Sequence, residues 1–293
     1  MIISRIDFAV NIRKTLRIKW LYRLLWFGII WKEREGNTMQ LWTPEHMKTL
    51  LPATAVFLVV AVIARLTIGK KELRIRMLPV QILAVIIILL EIGKQVMSFV
   101  KGYDLYHIPL HYCSMLIFAL PAMAFYKGRH SETVKAVGAA LCTAMTLLTL
   151  IYPNLIYSPG NIQNYLNGFF DFHTVTFHNV VILATFLVIA LDLHTPQPKG
   201  EGKTITLVVC VFCAVSAAMA QLLKTNYANY YSCNIAPLEA VRVSLQGVLG
   251  PVVTQLLYIL IVSALNILFT LLSYWVYRGI SKLFNMKTPV KTA

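Results

Sequence analysis

Charge is scarce in this chain. Only 13% of its 293 residues are Asp, Glu, Lys or Arg, against about 25% in ordinary soluble domains. With 58% of the residues hydrophobic, and no polar stretch long enough to build a core of its own, a water-soluble catalytic domain is excluded. Cysteine is sparse as well. Five residues, an odd number scattered mainly through the apolar runs, describe neither a disulfide framework nor a zinc site. There is no phosphate-cradling Gly-rich loop, no His-Glu-x-x-His and no Gly-x-Ser-x-Gly, so the familiar soluble-enzyme signatures are missing. No internal repeat is evident either, which argues against the inverted-repeat transporter architectures.

What the chain has in abundance is apolar runs of membrane-crossing length. A span needs about 20 mainly apolar residues at about 1.5 Å each, and seven stretches qualify, near 49–68, 78–100, 109–126, 134–152, 174–193, 204–223 and 250–277. The fold expected is therefore all-α, a polytopic helical bundle in one domain over 39–293. The net charge of +15 reads as a topology signal, with no nucleic acid expected, because the basic residues sit in short clusters between the spans. Arg65, Lys70, Lys71, Arg74, Arg76, Lys127, Arg129, Lys135, Lys199, Lys203, Arg278, Lys282, Lys287 and Lys291 fall on one side, and only Lys101, Lys224 and Arg242 on the other. This alternation predicts an N-terminus outside and a C-terminus inside.

Residues 1–38 resist that scheme, since they carry eight Lys/Arg against three acids and would face outward. Their apolar part, 20–31, is interrupted by Arg23 and is too short to span and too basic for a signal peptide. Two readings stay open: a basic amphipathic helix on the membrane surface, or a functional chain that starts at Met39.

Polar residues inside spans are costly and count as functional-site hypotheses. By helical rise, Glu91 and Lys94 lie about 14 and about 9 Å from the outer end of the second span, and His111 and Cys113 about 3–6 Å into the third. His178 lies about 6 Å into the fifth. The connection 153–173 contains Asn161, Gln163, Asn164, Asn167, Asp171 and His173 with no Lys or Arg, and a loop so long and amide-rich is expected to fold back over the bundle. The connection between the last two spans adds Asn226, Tyr227, Asn229, Tyr230 and Tyr231. A roofed, aromatic, amide-rich outer pocket is the picture these residues give.

Its chemistry has several readings. Glu91 and Lys94, three apart, are helix neighbours that either neutralise each other structurally or serve a ligand. Cys113 is a packing residue or a nucleophile with His178 as general base, in which case Asn or Tyr groups orient the imidazole and the site meets acyl-lipid substrates. His111, about 200° round a helix from Cys113, caps the site or holds the loop. A metal on Asp104, His107, Asp171 and His173 is a minor alternative. The favoured assignment has no metal and no cofactor.

The strings Leu110-His111-Tyr112-Cys113-Ser114 after a proline, Gly160-Asn161-Ile162-Gln163, Phe177-His178-Asn179 and Thr225-Asn226-Tyr227 occur in this order. With Trp42-Thr43-Pro44-Glu45-His46 near the start, the sequence resembles the YwaF family of bacterial integral membrane proteins over about 40–278, and departs from its usual pattern at Tyr112 and Ala228. More distantly it is similar to eukaryotic multi-pass lipid acyltransferases and androgen-induced lipid hydrolases, in which a Cys or Thr nucleophile works with a membrane His. The resemblance implies a bacterial cell membrane protein, Met39 as the start, and Cys113 and His178 as the matching pair. Membrane lipid is the expected partner. Two other functions stay open: a transporter or small-molecule receptor built on Glu91, Lys94 and His178, and an envelope scaffold.

Overall fold

The computed structural model describes residues 41–197 and 200–285, and both readings of 1–38 lie outside the described residues. Every regular element among the described residues is helical. In chain order the helices are α1 (Pro44–Ile68), α2 (Leu73–Val100), α3 (Met115–Phe125), α4 (Ser131–Ile151), the short α5 (Pro153–Ile156) and α6 (Pro159–Gln163), α7 (Phe169–Ala190), α8 (Glu201–Leu223), α9 (Ala236–Leu249) and α10 (Pro251–Asn285). Six of them, α1, α2, α4, α7, α8 and α10, are long and apolar enough to cross a membrane.

The third expected span, 109–126, takes a different form. Tyr112–Ser114 is a 3₁₀ turn, and α3 that follows has 11 residues. Pro109 explains the late start: it donates no backbone hydrogen bond and pushes the residue before it out of the helical region. The stretch from His107 to Ser131 nevertheless joins opposite ends of the bundle. His107 is bonded to Ser98 near the end of α2, whereas Glu132 at the start of α4 meets His194 just past the end of α7.

The bundle is organised on α4 and α7, which pack against each other and carry the others around them. The apolar part of α4 is 72% buried and that of α7 56%, against 6% for α1, whose sides are left for lipid. Small side chains make this approach feasible: Ala136, Ala139, Ala140 and Ala144 are buried on α4, and a Cβ at Gly138 would stand 2.8 Å from Met123 of α3. Between α4 and α7 the Thr146 and Thr185 hydroxyls meet at 2.7 Å. Sharing a hydrogen bond there leaves neither hydroxyl unpaired in an apolar setting.

The two ends of the bundle differ. At one, Arg65 of α1 donates to the Ala190 carbonyl at 2.6 Å and Arg76 of α2 to the Leu191 carbonyl at 2.7 Å. Both cations thus sit on the carbonyl end of α7, where its dipole favours positive charge. At the other end, His46 on the first turn of α1 reaches the Tyr157 carbonyl at 2.9 Å and the Thr43 hydroxyl at 2.8 Å. This bond ties the 153–168 connection down, with Tyr157 buried. Of the expected 153–173 connection, the part up to 168 packs against α1 in this way, whereas 169–173 forms the first turn of α7.

Candidate functional site

The second helix brings most of the site together. Glu91, Lys94, Gln95 and Ser98 recur at intervals of three and four and so share one face of α2. The Lys94 ammonium stands 2.8 Å from Glu91 Oε2, and both side chains are nearly inaccessible, at 12% and 10% exposure. Gln95 Nε2 donates to Glu91 Oε1 at 2.7 Å. From α7, His173 directs Nε2 towards Glu91 Oε2 at 3.7 Å. Cys113, half-buried, sits within the 3₁₀ turn that precedes α3.

The chain leading to Cys113 is irregular, and its carbonyls need partners because lipid supplies none. Three side chains supply them. Tyr227 donates to the Leu105 carbonyl at 2.5 Å, His111 Nε2 to that of Tyr106 at 3.0 Å, and Gln95 Nε2 to that of His107 at 2.8 Å. The His107 ring meets the Ser98 hydroxyl at 2.8 Å and stacks on Phe170. Burial holds His107 below the ordinary histidine range and pushes the Tyr227 phenol up, so Tyr227 keeps the proton its donor role requires. Tyr227→Phe should therefore strip the Leu105 carbonyl of its partner and cost about 1–3 kcal/mol. A lowered unfolding midpoint in detergent, with an unchanged denaturant slope, would register it.

His178 is buried five residues, about one and a half turns, further along α7 than His173. Its Nδ1 lies 2.7 Å from the Thr174 carbonyl. A carbonyl only accepts, so Nδ1 carries the proton and Nε2 keeps its lone pair. Among the described residues Nε2 forms no hydrogen bond. The ring is flanked by Tyr157 and Phe177. No hydrogen bond joins His178 to Cys113 among the described residues.

Glu91, Lys94, Gln95 and His173 are thus drawn into one cluster, with His111 and Tyr227 bracing the stretch of chain that leads to Cys113. The amides are used otherwise. Asn161 accepts from the Ser158 backbone at 2.7 Å and donates to Asp171 at 2.6 Å, capping α6. Asn226 accepts from Tyr231 and Ser232 and donates to Asn234, closing its own loop. Gln163 lies beside Glu45 at the start of α1. The four residues weighed for a metal have separate partners: Asp104 caps Tyr106, His107 meets Ser98, Asp171 meets Asn161 and His173 faces Glu91. Among the described residues no group of three or more His, Cys, Asp or Glu could hold a metal ion.

The sequence reading missed Gln95 and Ser98, although their spacing from Glu91 marks them. It also missed a second buried cluster at the arginine-capped end. His194 stands 3.2 Å from both Glu132 and Glu201, Lys135 stands 2.8 Å from Glu132, and the Tyr274 hydroxyl donates to Glu201. Lys135 counted only as a topology marker in the sequence, yet it is buried.

No curated protein and no solved structure matches the chain. The family comparison matches residues 41–274, which takes in both clusters and every helix up to the Tyr274 turn of α10. The chain therefore belongs to the TMEM164 family of multi-pass membrane proteins.

Proposed function

We propose that the protein transfers or hydrolyses acyl groups of membrane lipids, with Cys113 as the nucleophile and His178 as the general base. The observation that carries this reading is the Nε2 of His178, which forms no hydrogen bond among the described residues and, with Nδ1 donating to Thr174, holds the lone pair of the neutral ring, at the same end of the bundle as the Cys113 thiol. In the first step the imidazole takes the thiol proton and sulfur attacks the ester carbon. A thioester forms, and the lysolipid alcohol leaves with the proton returned by the imidazolium. In the second, water or an acceptor hydroxyl gives its proton to His178 and attacks the thioester, which frees the thiol. The likeness to the YwaF family and to lipid acyltransferases supports the same pair. The distribution of basic residues supports the seven-crossing topology, with 109–126 as the third crossing and the site in the outer leaflet of a bacterial cell membrane.

The test is covalent trapping. Purified protein incubated with a phospholipid bearing a clickable acyl chain should acquire a label that hydroxylamine removes and that Cys113→Ser abolishes. Equal labelling of wild type and variant would end the assignment. The lack of a Cys113–His178 hydrogen bond favours a second reading, in which Glu91, Lys94 and a histidine form a proton or ligand relay for transport. Proton-coupled uptake that survives Cys113→Ala and fails in Glu91→Gln would select it.

A further inference from the structure

At the site end, α9 leaves a row of aliphatic side chains exposed, and its neighbours α8 and α10 are both long and apolar enough to cross a membrane. Successive residues turn by about 100°, which divides α9 into three sectors. Glu239, Arg242 and Gln246 form one stripe, less exposed than the rest of the helix. Arg242 pairs with Glu239 at 2.5 Å, donates to Gln255 of α10 at 2.9 Å and lies over the Tyr258 ring. This stripe is the side that packs on α10.

About a quarter turn away lies the second sector, Leu238, Val241, Leu245, Val248 and Leu249. All five are exposed, from 42% for Leu245 to 79% for Val248. They cover an arc of about 100°, the width by which an amphipathic helix seats itself on an apolar medium. The third sector holds Pro237, Ala240, Ser244 and Gly247, which are small or weakly polar, and Val243, 51% exposed, lies between it and the charged stripe, away from the other aliphatic side chains.

The height of α9 follows from its anchors. Gln255 donates to the Tyr230 carbonyl just past the end of α8, and Tyr274 donates to Glu201 at the start of α8. The rise from 255 to 274 is about 28 Å, close to the roughly 30 Å of hydrocarbon in a bilayer. Arg242, held to Gln255, is therefore level with one face of the hydrocarbon.

We infer that α9 lies flat in the membrane interface, with Leu238, Val241, Leu245, Val248 and Leu249 seated among phospholipid acyl chains. Its charged stripe then turns sideways to α10, and its small-residue sector turns to water with Val243 as the one aliphatic residue on that side. The occupant of the aliphatic face is lipid: a protein partner arriving from water would have to reach a surface that points into the bilayer. The seating also steadies the connection above the site, because Glu239 accepts from the Cys233 backbone at 2.9 Å.

Photocrosslinking decides it. A benzoylphenylalanine is placed at 241, 245 or 244 of the full chain, reconstituted in phosphatidylcholine nanodiscs, with 257 on the exposed side of α10 as the lipid-facing reference. Irradiation should give phospholipid adducts at 241 and 245 at no less than half the yield at 257, and at 244 at least fivefold less. A crosslink from 241 or 245 to a second copy of the chain would overturn the inference, as would adducts at 257 without adducts at 241 and 245. All four positions are exposed, so the substitutions do not disturb packing.

Discussion

Replacing His178 with glutamine should lower acyl transfer by about 10²- to 10⁴-fold, the usual worth of a positioned general acid-base group. The reason lies in the tautomer. Nδ1 is committed to the Thr174 carbonyl at 2.7 Å, which leaves Nε2 as the nitrogen able to take a proton from the Cys113 thiol. Glutamine approximates the polarity of the ring but is not a base. His173→Gln provides the comparison, because His173 directs Nε2 at Glu91 from 3.7 Å. With His178 as the base, the His173 variant loses less than tenfold under the same single-turnover conditions. A loss of 10² or more in His173→Gln, with His178→Gln near wild type, would transfer the role to the imidazole paired with Glu91.

The second large effect concerns stability. Glu91→Leu should cost about 3–5 kcal/mol, because removing one member of a buried ion pair strands the other. Lys94, with 12% of its side chain exposed, would keep its ammonium without the carboxylate 2.8 Å away, Gln95 would lose an acceptor, and His173 would lose the carboxylate it faces at 3.7 Å. Adding Lys94→Met should recover most of the loss, since a buried pair replaced by apolar groups of similar size is often close to neutral. Unfolding of the two single variants and the double variant in mixed micelles gives the coupling. A double variant no more stable than Glu91→Leu would show that the pair is not the unit that matters.

The sequence made the helices legible to the extent that membranes make them so. An apolar run of about 20 residues has few alternatives in lipid, and six of the expected spans are helices of that kind. The third expected span differs in form, because Pro109 and the polar residues around it do not continue a helix. In the structure they form a turn and α3 shrinks to 11 residues. For the candidate site, Glu91, Lys94 and Cys113 could be found because ionisable groups and thiols in apolar helices stand out. Asn161 and Asn226 could not be judged in the same way. An amide in a loop serves a cap or a pocket equally well, and only the coordinates reveal that Ser158 and Tyr231 claim them. The cluster of Glu132, Lys135, His194, Glu201 and Tyr274 was hidden for a related reason. Its members come from four separate segments, and a charge at the end of a span reads as a marker of sidedness until its depth is known.

The shortness of α3 bears on the bilayer itself. Its 11 residues rise only about 16 Å, and a further 3₁₀ turn about 6 Å, so this strip of the protein falls several ångströms short of an unperturbed hydrocarbon slab. Where a hydrophobic stretch is too short, lipid thins locally to meet it. Headgroups and their hydration water would then dip beside the turn that holds Cys113, forming a shallow dimple in the leaflet. If Cys113 is the nucleophile proposed above, an acyl chain arriving sideways and a hydrophilic acceptor arriving from above would reach the same sulfur at the floor of such a dimple, and neither would have to leave its own phase.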